Sequence, residues 1–87
     1  MQQQMEHAQF LMPPDYVLRL NRRCKSVTLW TPIQPEGVGR KYIKSFSFAV
    51  TSFTEALQKA LRRAWRHYRP RRAPPAIIVR EIRLLDA

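Results

Sequence analysis

Cysteine is nearly absent from this sequence: Cys24 stands alone in 87 residues. An intramolecular disulfide and a multi-cysteine zinc finger are therefore excluded. Glycine is almost as scarce, with only Gly37 and Gly39, which leaves no glycine-rich phosphate loop and no collagen-like repeat. The longest aliphatic run falls near residues 76–79 and is far too short to span a bilayer. No basic segment followed by an apolar stretch opens the chain, so no secretory signal is read there. The six acidic residues are scattered, and Glu55 is accounted for as a helix cap, which leaves no carboxylate pair for acid–base work. His7, His67 and Cys24 fall short of the four ligands of a zinc site, and nothing supplies the orienting group or pocket that a Cys–His nucleophile needs. No enzymatic activity, cofactor or metal is expected.

What is present is positive charge. Sixteen Lys and Arg face six Asp and Glu, a formal net charge of +10 with a pI near 11.1. Twelve of the sixteen are Arg, whose forked guanidinium binds phosphate bidentately and reads guanine edges. Residues 51–72 carry +6, seven Lys and Arg less Glu55, while residues 73–87 balance to zero. Such a footprint points to a polyanion partner; a basic surface kept for solubility and an acidic protein partner are the rival readings. Hydrophobic residues make up 45%, enough for a core, and the length allows one domain. A soluble protein of the cytoplasm is expected, associated with the nucleoid or, if phage-encoded, in the host cytoplasm, with a nucleus left open.

Residues 1–13 are Gln-rich and end at Pro13-Pro14, which suggests a flexible arm whose Phe10, Leu11 and Met12 dock on the core edge. Residues 16–22 (YVLRLNR) alternate as a strand, and residues 24–31 (CKSVTLWT) as a second. There Val27 and Leu29 face one way and Ser26, Thr28 and Trp30 the other. The Pro- and Gly-containing residues 32–39 read as a loop, and residues 40–50 (RKYIKSFSFAV) as a third strand. Alternation places Lys44 with Phe46 and Phe48, so either Lys44 lies at the rim of the sheet or a bulge changes the register near Ser45. Phe53, Ala56, Leu57, Ala60, Leu61, Ala64, Trp65 and Tyr68 then follow a helical stripe without a miss. Ser52 and Glu55 form a capping-box pattern at its start, and Pro70 stops it. The β-branched residues 76–85 (AIIVREIRLL) read as a final strand. The expected fold is α+β: a three-stranded antiparallel sheet backed by one helix (β-β-β-α), with an added C-terminal strand. The arm is residues 1–13, the module 14–72 and the extension 73–87.

The run Lys41-Tyr42-Ile43-Lys44-Ser45-Phe46-Ser47-Phe48, then Thr54-Glu55-Ala56-Leu57 and a closing Trp65-Arg66, resembles the bacterial and phage branch of the Apetala-type (ethylene-response-factor-like) DNA-binding domain. Val50-Thr51-Ser52 stands where that family usually has a glycine. The resemblance covers roughly residues 16–69. It implies a sheet lying in the DNA major groove, with strand Arg and Trp on bases and phosphates, and a phage or mobile-element regulator of transcription. The candidate nucleic-acid-binding residues are Arg19, Arg22, Arg23 and Lys25 around the first turn, Thr28 and Trp30 on the second strand, and Arg40, Lys41 and Lys44 leading into the third. The polar side of the helix (Lys59, Arg62, Arg63, Arg66, His67, Arg69) reads as a solvated face, with the alternative that the helix itself meets the polyanion. Duplex DNA is the expected partner. A double-stranded-RNA module, and a phage-type inhibitor or adaptor docking on an acidic host protein, are the alternatives.

Overall fold

The computed structural model describes residues 2–35, 37 and 39–83. Its elements run α1 (Gln2–Phe10), β1 (Val17–Asn21), β2 (Ser26–Trp30), β3 (Tyr42–Ser47), α2 (Phe53–Tyr68) and α3 (Ala76–Arg83). The strands form one antiparallel sheet in the order β1-β2-β3. Period-two alternation buries Leu18, Val27, Leu29 and Phe46 on one face. Against that face lies α2, whose Leu57 and Leu61 are fully buried and whose Trp65 is 6% exposed. Ala56, Ala60 and Ala64 sit between them with almost no exposed surface, so the helix backbone approaches the sheet closely. The three-stranded sheet packed by this helix is the expected β-β-β-α core.

The start of α2 is fixed locally. The Ser52 hydroxyl accepts the Glu55 backbone N–H at 3.0 Å, which satisfies one of the helix's orphan donors. The Glu55 carboxylate turns to Lys59, 3.8 Å away. At the other end Arg69 caps α2 through its N–H to the Trp65 carbonyl, and its guanidinium lies over the Trp65 and Tyr68 rings. Tyr16, at the mouth of β1, is hydrogen-bonded through its hydroxyl to His67 Nδ1 at 2.7 Å. Burial, and then the neighbouring Tyr68, raise the Tyr16 pKa above its ordinary value of 10.

Two expectations are corrected. Residues 2–10 are helical, and the arm is fastened by long-range polar bonds. The Gln9 side chain accepts the Leu18 N–H (2.9 Å) and donates to the Tyr16 carbonyl (2.7 Å), so one amide occupies backbone groups on the free edge of β1. Gln4 donates to Thr54 Oγ1, and the Trp65 indole donates to the Leu11 carbonyl at 2.9 Å. Leu11 and Met12 are buried as expected, but Phe10 is exposed. The expected C-terminal strand is also a helix, α3. The Pro75 carbonyl accepts the Ile78 and Val79 N–H groups and starts the helix. Ile78 and Ile82, one turn apart, then reach the core together, and Gln58 donates to the Ile82 carbonyl. Burying that pair against α2 outweighs the modest β preference of Ile and Val. Leu84 and Leu85, the last residues of the expected strand, lie outside the described residues, as do Met1 of the arm, Glu36 and Val38 of the loop, and residues 86–87 of the extension.

Leu61 touches the sheet at the centre of α2 and is wholly enclosed. Leu61→Ala is expected to lower unfolding free energy by roughly 2–5 kcal/mol, measured by urea titration; an unchanged midpoint would show that this stripe is not the core.

Candidate nucleic-acid interface

The face of the sheet turned away from α2 is a grid of three rows, set by the strand registers. Val17, Trp30 and Tyr42 pair across the first row, Arg19, Thr28 and Ser45 across the second, and Asn21, Ser26 and Ser47 across the third. The helices all pack on the opposite side, where the core cluster joins Ala8, Leu11, Leu57, Leu61 and Ile82 to the inward strand residues. The outward residues are exposed or half-buried. Five residues of strand and three strands span about 13 × 10 Å at ordinary strand rise and spacing, a size that enters a B-DNA major groove about 12 Å wide.

The side chains on this grid hold one another. The Arg19 guanidinium lies over the Trp30 ring, 5.4 Å from its centroid, as cation–π attraction favours. Trp30 Nε1 donates to Thr28 Oγ1 at 3.0 Å, and that hydroxyl donates to the Arg19 carbonyl at 3.3 Å. Trp30 and Tyr42 meet edge to face at 5.8 Å, and the Tyr42 hydroxyl donates to Ser45 Oγ at 2.9 Å. The result is a preset fork, two aromatic edges and a run of hydroxyls. Each can meet a base edge, a thymine methyl or a sugar without first being ordered.

Cations stand at both ends of the grid. Beyond the third row, residues 22–25 turn β1 into β2, with Arg22, Arg23 and Lys25 all exposed. The Asn21 side chain accepts the Cys24 N–H, and Lys25 takes a left-handed backbone (φ 48°), fixing the turn. Cys24 is exposed in this turn. Beyond the first row, Lys41 is exposed beside Tyr42. Cations flanking a polar face are chemically suited to phosphate contacts that set orientation.

The structure therefore brings together Arg19, Arg22, Arg23, Lys25, Thr28, Trp30 and Lys41, and separates the other two candidates from them. Lys44 pairs in register with the buried Leu29, so its side chain belongs to the α2 side of the sheet, over the rim of Phe46. Of the two possibilities for this strand the rim placement is the one found: no bulge lies at Ser45, and the register shift between Leu29 and Trp30, with Ile43 as the extra residue, turns Tyr42 outward and leaves Lys44 on the side of Phe46. An inward-pointing lysine on an edge strand also discourages pairing with another chain. Arg40 is engaged internally, its Nη1 donating to the carbonyls of Asp15 and Thr31, the latter at 3.1 Å. It straps the start of β1 to the end of β2. Tyr42, Ser45, Ser47 and Asn21 join the face without having been singled out. Alternation marks the serines, but Tyr42 needs the bulge to be known. Among the described residues no group of three His, Cys, Asp or Glu side chains gathers in a metal-holding arrangement, and no helix is long and apolar enough to cross a membrane.

Because Arg40 holds two backbone carbonyls, Arg40→Ala is expected to destabilise the fold by about 1.5–3 kcal/mol, the range for bonds to a charged donor. Arg19→Ala should leave the melting temperature nearly unchanged. Thermal unfolding of both variants checks this; equal stability of Arg40→Ala and parent would return Arg40 to the binding set.

Set against family models, curated proteins and solved structures, the chain matches none of them.

Proposed function

We propose that this chain is a small DNA-binding module that lays its bare sheet face in the major groove of duplex DNA. The observation that carries the proposal is the uncovered three-by-three grid, with Arg19 held over Trp30 and flanked by Arg22, Arg23, Lys25 and Lys41. Arg19 is the side chain suited to a guanine O6/N7 edge; beside it the Ser45 hydroxyl suits either donor or acceptor on a neighbouring base, and Thr28 Oγ1, its proton given to the Arg19 carbonyl, keeps a lone pair for a base donor. The turn arginines suit phosphates on the groove wall. The resemblance of residues 41–48 and 54–66 to the Apetala-type domain supports the same placement. It adds the role of a phage or mobile-element regulator that acts by occupying its site. The formal charge of +10 supports a partner whose charge is negative and repeated.

Binding of this kind has a salt signature and a residue signature. Each phosphate neutralised contributes about −0.9 to the slope of log K against log salt, so affinity for duplex DNA should fall at least tenfold between about 50 and 200 mM salt. Arg19→Ala should cost about 1–3 kcal/mol of binding if it reads a base, with Arg62→Ala/Arg66→Ala on α2 costing less. Gel-shift titrations of the parent and these variants against duplex DNA and duplex RNA, at two salt concentrations, make the test. A dominant effect of the α2 pair would sink the sheet-in-groove placement. Preference for A-form RNA would favour the RNA-binding alternative, and salt-insensitive binding the protein-partner alternative.

A further inference from the structure

We propose that the side of α2 turned to solvent holds the backbone of a second duplex, so that one copy of the chain bridges two DNA segments. This rests on the DNA reading of the sheet face and adds to it a second surface.

Three observations carry the proposal. Pairing with the buried Leu29 puts Lys44 on the helix side of the sheet with Phe46, where it meets Lys59, Arg62, Arg63 and Arg66 around the Phe46 ring in a shallow hollow of about 240 Å³. Arg62 and Arg66 also rim the neighbouring hollow, of about 540 Å³, together with Arg71 and Arg72 from the segment after α2. The two hollows thus share a wall, and their cations form one row from the edge strand to the foot of α3. Second, this row is poorly neutralised. Among the described residues Glu55 reaches Lys59, and no carboxylate pairs with Arg62, Arg63, Arg66, Arg71 or Arg72. Within α2, Lys59 and Arg63, and likewise Arg62 and Arg66, are like charges at i,i+4, which repel. An anion with closely repeated charge relieves that repulsion, and duplex DNA offers one charge per ~1.7 Å of its axis. Third, the row lies on the α2 side of the sheet, whereas Arg19 and Trp30 lie on the bare side. A duplex seated on the grid leaves the row facing solvent.

The two surfaces differ in chemistry as they differ in place. The grid mixes an arginine fork with aromatics and hydroxyls, as base edges require. The row is almost uniformly cationic, with no hydroxyl among its cations, and suits phosphates without regard to sequence. The chain would hold one segment by its grooves and a second by its backbone alone.

The test is a capture assay with the full chain. One duplex is immobilised on beads, a second, labelled duplex is free, and retained label is measured as protein is added. The parent is expected to retain the second duplex. Arg62→Gln/Arg63→Gln/Arg66→Gln, all at exposed positions, should bind the first duplex within about threefold of the parent but lose at least about tenfold in capture, as the loss of several phosphate contacts implies. Lys44→Gln, on a different element, should reduce capture in the same direction. Circular dichroism establishes that each variant is folded. Tight binding of the first duplex by the parent with no capture of the second would overturn bridging and leave the sheet reading standing. Full capture by the triple variant would also overturn it, because two sheet faces of a self-associated chain would then suffice. Failure of the parent to bind any duplex would remove both.

Discussion

The close seating of α2 on three strands governs the rest of the molecule. Ala56, Ala60 and Ala64 bring the helix backbone down onto the sheet, and Leu57 and Leu61 fill the space between. One helix of this length covers one face of a small sheet. The ends of that layer are closed by α1, whose Ala8 is fully buried, and by α3, whose Ile82 is 2% exposed. All three helices are thereby spent on one side. The other side of the sheet is left to polar and aromatic residues, as antiparallel sheets tolerate. The same packing turns Lys59, Arg62, Arg63 and Arg66 toward solvent. Both charged surfaces follow from one apolar contact.

Those surfaces carry a stability cost that the core offsets. Like charges one turn apart on a helix each oppose folding by about 0.2–0.5 kcal/mol, and a chain of this size has little stability to spare. The reinforcing bonds are accordingly specific bonds from side chains to backbone groups. Gln9 fills groups on the edge of β1, the Trp65 indole holds the Leu11 carbonyl, and Arg40 joins Asp15 to Thr31. None of them uses a carboxylate, which suits a sequence with so few. A polyanion bound at either surface would add to stability by relieving the repulsion.

Much of the core could be read directly from residue spacing. The stripe from Phe53 to Tyr68 has the 3.6-residue period over four turns, and its boundaries match α2. Alternation in β2 correctly divides Val27 and Leu29 from Ser26, Thr28 and Trp30. What escaped depends on partners distant in sequence. The Gln-rich N-terminus has a weak apolar face of its own, and its helix is held by Thr54, Tyr16, Leu18 and Trp65. Residues 76–83 carry β-branched side chains that suggest a strand, yet the Ile78 to Ile82 interval is helical, and as a helix the segment packs both against the core. Lys44 and Arg40 show the same limit at the candidate site. Charge and position nominate both for the groove, but pairing with the buried Leu29 holds the first on the helix side, and two backbone carbonyls occupy the second.

The two tryptophans offer the most direct measurement, because the structure places them in opposite circumstances. Trp30 lies on the bare grid, beneath Arg19 and beside Tyr42, whereas the Trp65 indole is buried and donates to Leu11. A ¹⁵N-labelled sample titrated with duplex DNA reports both indole N–H resonances at once. If the sheet face is the DNA surface, the Trp30 resonance shifts or broadens before one equivalent is reached and the Trp65 resonance stays in place. A Trp30 resonance that is unmoved at saturation would contradict it.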